Sequence, residues 1–264
     1  MNTIKSKDNN KIKYIRSLNT KKKREEENAF IVEGIKFVYE AINEKQNIIY
    51  LLFSEQSLNK TDVKELYDLS VKSGFESYIC DEDVFKSAAD TINAQGVIAV
   101  VGKNEYDADY ILKNYKFVIM CDRIQDPGNL GTIIRTSDAF GPAAVILNKG
   151  CVDTHNPKVV RATAGAIFRV PLINMDSDTE IINLLNKHKF KIISTVVESE
   201  YSFDDIKEEN KICVVIGNEG QGVSREIIES SHMNITIRMP GRAESLNASI
   251  AAGISIYEIR KKLL

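Results

Sequence analysis

Six short runs in the second half of the chain read as strands: 117–121, 143–147, 170–173, 191–197 and 211–216 are mostly apolar, and 234–239 alternates apolar with polar residues. Stretches with apolar residues at helical spacing separate them, at 130–140, 158–168, 179–187, 225–230 and 246–262. Strands without in–out alternation have no wet face, so this half is an α/β fold: a parallel sheet covered by helices on both sides. Such sheets bind ligands beyond the carboxyl ends of their strands. The strand-to-helix loops are therefore where chemistry is expected.

The first hundred residues also alternate, with strands at 29–32, 48–53, 78–80 and 96–101 and helices at 11–18, 34–43, 61–72 and from Asp81 to Ala89. They contain no catalytic cluster. Residues 19–28 are polar and charged and read as a mobile loop. The weakly helical 102–115 reads as a connection, which gives one domain over 1–102, a linker over 103–115 and a second domain over 116–264. No apolar run approaches the length of about 18 residues that a membrane span needs. The basic start lacks the apolar centre of a signal peptide, so a cytoplasmic protein is expected. Cys80, Cys121, Cys151 and Cys213 are scattered and read as buried free thiols rather than metal ligands or disulfides. Net charge is −2, yet residues 1–24 carry nine Lys and Arg against Asp8 alone. The cluster Lys21, Lys22, Lys23, Arg24 is either a nucleic-acid contact or a solvated face balanced by Glu25, Glu26 and Glu27.

Three loops concentrate the polar residues. In DRIQDPGNLGTIIRTSDAFG, from Asp122, a turn leads to Asn129, expected as the helix N-cap. Arg135 lies one position beyond the inward face of that helix; it can hold a phosphate or carboxylate, or pair with Asp138. In IGNEGQGVS, from Ile216, three glycines in six residues open backbone amides to a ligand. It is neither a dinucleotide fingerprint nor a Walker loop, and Glu219 in its middle suits a neutral or zwitterionic group better than phosphate. A plain Gly-rich turn ahead of Ser224 is the alternative. In ITIRMPGRAESLNASIAAGISIYEIRKKLL, from Ile235, a strand breaks at Pro240-Gly241, and Ser245 is placed to cap a helix rich in small residues. That loop is either the wall of a ligand site or the start of a core helix.

Taken together, DPGNLGTIIRTSDAFG, IGNEGQGVS and RMPGRAESLNASIAAGI resemble, in order, spacing and wording, the three motifs of the SpoU (TrmH-like) RNA 2′-O-ribose methyltransferases of the SPOUT superfamily. The first domain, through VEGIKFVYEAI, is similar to the L30e-like substrate-binding domain of the two-domain ribosomal RNA enzymes. The resemblance implies a C-terminal SPOUT α/β domain whose last segment is threaded into a trefoil knot, and a homodimer joined through the knotted regions. It implies S-adenosylmethionine held by Thr195, Val196, Ile216, Gly217, Asn218, Glu219, Gly220, Ile237, Met239, Pro240, Ser245, Leu246 and Asn247. Its catalytic positions fall on Asn129, Arg135, Glu219, Ser245 and Asn247. RNA contact is expected from Lys21, Lys22, Lys23, Arg24, Arg135, Arg161 and Arg169, with no metal and no membrane. The implied reaction is methyl transfer to a ribose 2′-hydroxyl, in 23S ribosomal RNA by the two-domain layout. A tRNA target, a non-catalytic RNA- or ribosome-binding protein of the same fold, and a nucleotide-dependent small-molecule enzyme are the competing readings.

Overall fold

Residues 2–141, 143–207 and 209–263 are described by the computed structural model. The chain divides into two units, one of Met1–Asn104 with His155–Phe168 and one of Glu105–Thr154 with Arg169–Leu264.

In the first unit the elements run β1 (Asn2–Ile4), α1 (Asn10–Ser17), α2 (Lys21–Glu26), β2 (Ala29–Glu33), α3 (Ile35–Asn43), β3 (Ile48–Ser54), α4 (Thr61–Lys72), β4 (Ser77–Cys80), α5 (Glu82–Ala88) and β5 (Val97–Gly102). The sheet order is β1-β4-β3-β5-β2, with β5 antiparallel to both neighbours. Ile12, Ile15 and Leu18 pack on Tyr50, Leu52, Ile98 and Val100. The expected loop at 19–28 is instead largely α2. Thr20 caps it, and Lys21–Glu25, Lys22–Glu26 and Lys23–Glu27 are pairs of the helix-stabilising i,i+4 kind.

The same helix corrects the RNA-contact reading of the basic cluster. Arg24 is only 2 % exposed and donates to the Leu18 carbonyl at 2.7 Å, so it holds the turn before α2 rather than facing a partner. A buried guanidinium stays where its hydrogen bonds are made. Lys21 and Lys22 are exposed, though each is ion-paired.

The second unit begins earlier than expected. Residues 107–115 form a capped helix, α6 (Ala108–Asn114), whose Ile111 and Leu112 enter this unit's core. Then come β6 (Phe117–Cys121), α7 (Pro127–Phe140), β7 (Ala144–Leu147), α8 (Pro157–Ala162, grouped with the first unit), β8 (Leu172–Asn174), α9 (Asp178–Lys187), β9 (Lys191–Thr195), β10 (Ile212–Ile216), α10 (Arg225–Ser230), β11 (Met233–Ile235) and α11 (Ala248–Leu263). The helix expected over 158–168 stops early, because Ala164 and Gly165 both take positive φ. Arg161 belongs to the first unit, where it pairs with Asp90 at 2.7 Å.

All six strands of the second sheet are parallel, in the order β11-β9-β10-β6-β7-β8. β6 and β10 are buried at every residue, which explains their unbroken apolar sequences. β11 is shorter than the expected 234–239. Beyond Ile235 the backbone leaves the ladder, and Thr236 N–H bonds instead to the Tyr201 carbonyl at 2.9 Å. That departure frees 236–240 to form a loop beside the strand ends. Among the described residues no helix is long and apolar enough to cross a membrane. Cys80, Cys121 and Cys213 are buried free thiols, and Cys151 is half-buried.

Candidate active site

Two of the expected caps are reassigned, and both corrections build the site. Asp126, not Asn129, caps α7: its carboxylate accepts from Asn129 N–H at 2.8 Å, and Pro127 takes the first helical position. Asp followed by Pro is the stronger start, since proline's missing N–H costs nothing there. Asn129 is thereby left with its side chain free for other partners. At α11 the cap is Asn247, not Ser245. The Asn247 Oδ1 accepts from Ser249 N–H at 2.9 Å and from Ile250 N–H at 3.4 Å. Ser245 and Leu246 stay in the loop before the helix.

The freed amides tie the three loops together. Asn247 Nδ2 donates to Asn129 Oδ1 at 3.0 Å, and Asn129 Nδ2 donates to Glu219 Oε1 at 3.0 Å. Glu219 also accepts from Asp126 N–H at 3.1 Å and Gln125 N–H at 3.3 Å. Burial pushes the Glu219 carboxyl up, but the hydrogen bonds from Asn129 and from the backbone at 125–126 outweigh it and hold it below the usual carboxylate range. A carboxylate with its lone pairs taken up this way organises loops; it is not poised to accept a substrate proton. Its stabilising contribution is complete above the ordinary value near 4.5 and is lost as pH falls through the lowered folded value. In the wild type the loops should therefore loosen, and ligand affinity fall with them, as pH drops below the usual carboxylate range. The acid limb should flatten in Glu219→Gln, measured as affinity against pH. An unchanged acid limb would contradict this role of Glu219.

A cavity of about 470 Å³ opens beside this network, inside the second unit. Thr195, Val196, Ile216, Gly217, Asn218, Glu219, Gly220, Ile237, Met239, Ser245 and Leu246 line it. Two expected members do not: Pro240 faces a neighbouring hollow with Arg238, and Asn247 acts through Asn129. The sequence reading missed Gln221, Gly222, Thr236, Glu244, Ala248 and Ala251, which also line the wall. The Gly-rich wording pointed toward the first two, and the small residues opening α11 toward the last two. The size suits a drug-sized ligand. The wall is apolar at Val223, Ile228, Ile237, Met239 and Leu246, carries the carboxylates of Glu219 and Glu244, and includes no Lys or Arg. It fits a cationic or zwitterionic nucleoside and disfavours a nucleotide polyphosphate.

Arg135 sits six residues beyond Asn129 on α7, roughly 9 Å along the axis. It is exposed, and its guanidinium makes no hydrogen bond or ion pair among the described residues. The expected competitor, Asp138, is engaged by Arg169 at 2.8 Å. Asp138 is thus unavailable to Arg135, and Arg169 is committed to Asp138.

Comparison with known proteins fixes the lineage of this arrangement. The profile of the SpoU rRNA Methylase family matches residues 116–257. The chain belongs to the SpoU rRNA methylase family. A second profile, the MRM3-like substrate binding domain, matches residues 9–99 ahead of the SpoU region. The chain is 31 % identical over 260 residues to the 23S rRNA (guanosine(2553)-2′-O)-methyltransferase RlmP of Bacillus subtilis, covering 98 % of this chain and 100 % of the relative. The AdoMet-bound rRNA methyltransferase from Sinorhizobium meliloti matches with a TM-score of 0.88 at 29 % identity, over 99 % of this chain and 98 % of that one. The SpoU methyltransferase AviRb from Streptomyces viridochromogenes, solved with AdoMet, matches with a TM-score of 0.86 at 25 % identity, over 96 % and 98 %. These likenesses extend over both units, not the SpoU region alone.

Proposed function

We propose that this protein is an S-adenosylmethionine-dependent methyltransferase acting on a ribose 2′-hydroxyl of 23S ribosomal RNA in the cytoplasm. The observation that carries the reading is the cavity: three SpoU loops meet at it through the Asn247–Asn129–Glu219 chain, and its wall has carboxylates but no cation. The full-length similarity to a 23S rRNA 2′-O-methyltransferase supports the RNA class. In this reading the backbone of 216–220 and 236–237 and the side chains of Leu246 and Met239 hold the cofactor, and Glu244 and Glu219 favour its positive charge. S-adenosylmethionine supplies, when bound, a methyl group on a cationic sulfur, a donor that calls for no metal.

The chain's own residues do the rest. A ribose hydroxyl is a poor nucleophile until its proton is removed or shared. Guanidinium groups hold their proton firmly in proteins, so Arg135 serves by clamping the RNA phosphate and stabilising the developing oxyanion, while the hydroxyl proton is given up to solvent water. Asn129 orients the N-terminal turn of α7, Ser245 presents its hydroxyl at the cavity, and Asn247 fixes the start of α11. Lys21, Lys22 and Lys23 remain RNA contacts in this reading, since their ion pairs are solvent-exposed and weak enough to exchange.

The family's trefoil knot, with 236–247 passing the ends of β9 and β10, is part of the same proposal. So is the homodimer. α11 packs along α7, and this pair exposes Ile250 at 53 %, Tyr257 at 49 % and Phe140 at 40 %, with Phe140 and Tyr257 rings 5.8 Å apart. Exposed apolar side chains gathered on one helix pair support the dimer reading. Sedimentation should give twice the chain mass, and Ile250→Glu with Tyr257→Glu should give the monomer. A wild-type monomer at micromolar concentration would refute the dimer.

A further inference from the structure

Arg123 makes an unusual set of commitments for a residue that does not line the cavity. Its backbone sits at φ 57, a left-handed conformation that a branched, bulky side chain rarely takes. Three partners fix it there. Its N–H donates to Asn148 Oδ1 at 2.8 Å, and its carbonyl accepts from Asn218 Nδ2 at 2.8 Å. Its guanidinium straddles the fully buried Asp122 carboxylate, Nε to Oδ1 at 2.9 Å and Nη2 to Oδ2 at 3.2 Å. Gly150, itself at φ +105, makes room for the stem: a Cβ there would stand 3.0 Å from Arg123 Cγ.

The free end of the fork reaches the Gly-rich loop. Nη1 donates to Gln221 Oε1 at 3.2 Å, and Nη2 approaches the Gly222 carbonyl at 3.5 Å. Gly222 closes that loop, exchanging backbone hydrogen bonds with Asn218 at 2.9 and 3.0 Å. Asp122 also accepts from Ser224 N–H at 2.6 Å, just where the loop enters α10. Asp122 and Arg123 thus grip the loop at 221, 222 and 224 from the end of β6, while 217–222 also line the cavity.

We propose that Arg123 is a positioning residue for the cofactor loop: its fork, anchored on Asp122, sets the backbone of 217–222 for S-adenosylmethionine. The inference rests on the cofactor assignment above. The guanidinium is required because only a planar fork can hold a carboxylate with two nitrogens and still present a third toward Gln221. A lysine would keep the charge beside Asp122 and lose the reach to the loop.

The test is a double-mutant cycle of Arg123→Lys and Gln221→Ala in the full chain, read by calorimetric titration with S-adenosylmethionine, by melting of the ligand-free protein and by steady-state kinetics. Arg123→Lys should raise Kd and KM for S-adenosylmethionine about tenfold, the scale of one lost charge-assisted hydrogen bond. The maximal rate at saturating cofactor and the ligand-free melting midpoint should stay near wild type. Gln221→Ala should add little once Arg123 is already lysine. Unchanged Kd in Arg123→Lys, or independent and additive effects of the two changes, overturns the proposal. So does a fall in maximal rate and melting midpoint with no separate effect on Kd. A wild-type protein that takes up no S-adenosylmethionine overturns the cofactor assignment and this inference together, an outcome distinct from the others because it appears before any variant is made.

Discussion

Arg135→Ala should cost about 10³-fold in maximal rate, the upper scale for removing one preorganised charged donor from a reacting centre. Affinity for S-adenosylmethionine should stay within about twofold of wild type, a change worth less than about 0.5 kcal/mol. The separation of the two effects follows from placement. Arg135 does not line the cavity, and its neighbours Ile133, Ile134 and Ser137 are buried and anchor α7 without it. Its charge is not consumed internally, because Asp138 is bonded to Arg169. Arg135→Lys should recover little, since a point charge lacks the fork that grips a phosphate and an adjacent oxygen together. Single-turnover methylation with saturating RNA and cofactor measures the effect. Turnover in Arg135→Ala above a tenth of wild type would remove Arg135 from the reaction.

Gly217→Ala should abolish cofactor binding. A Cβ at 217 would stand 2.2 Å from both the Gly222 carbonyl carbon and the Val223 nitrogen. These are backbone atoms and cannot swing aside as a side chain would. Relief requires opening the Asn218–Gly222 pair of hydrogen bonds, which is what shapes the loop into a cradle. Overpacking of this kind costs about 1–3 kcal/mol or more, here concentrated in the ligand-binding loop. Gly241→Ala is the control. Nothing stands within 4 Å of its Cβ and it does not line the cavity, so binding should survive. Equal affinities in the two alanine variants would show that the tight approach at Gly217 has no part in the site.

Much of this site was legible in the sequence because the signals were local. Unbroken apolar strands gave the parallel sheet, and the loops after β6 and β10 stood out by their Asn, Glu and Gly. The misreadings were contests between near-equal local options. Asn129 and Ser245 are both good caps, but Asp126 with Pro127 and Asn247 with Ser249 were better placed, and only the folded chain shows which wins. α2 looked like loop because its pattern is charge rather than apolar spacing; the Lys–Glu pairs that make it helical are as local as any hydrophobic period. Arg24 could not have been separated from its lysine neighbours, since its burial depends on the Leu18 carbonyl and the packing beneath it. The membership of 155–168 in the first unit is likewise a matter of tertiary contacts that no periodicity encodes. Asp122 and Arg123 escaped notice for the same reason: their partners lie about a hundred positions away at 221–224.

Ribosomal RNA from cells lacking this gene, incubated with the purified protein and methyl-labelled S-adenosylmethionine, tests the central claim most directly. After alkaline hydrolysis the label should be found in a single alkali-resistant dinucleotide from the large-subunit RNA, because a methylated 2′-oxygen can no longer assist cleavage. Label on a base, or no transfer by a protein that binds the cofactor and carries Asn129, Arg135, Glu219, Ser245 and Asn247 intact, would contradict it.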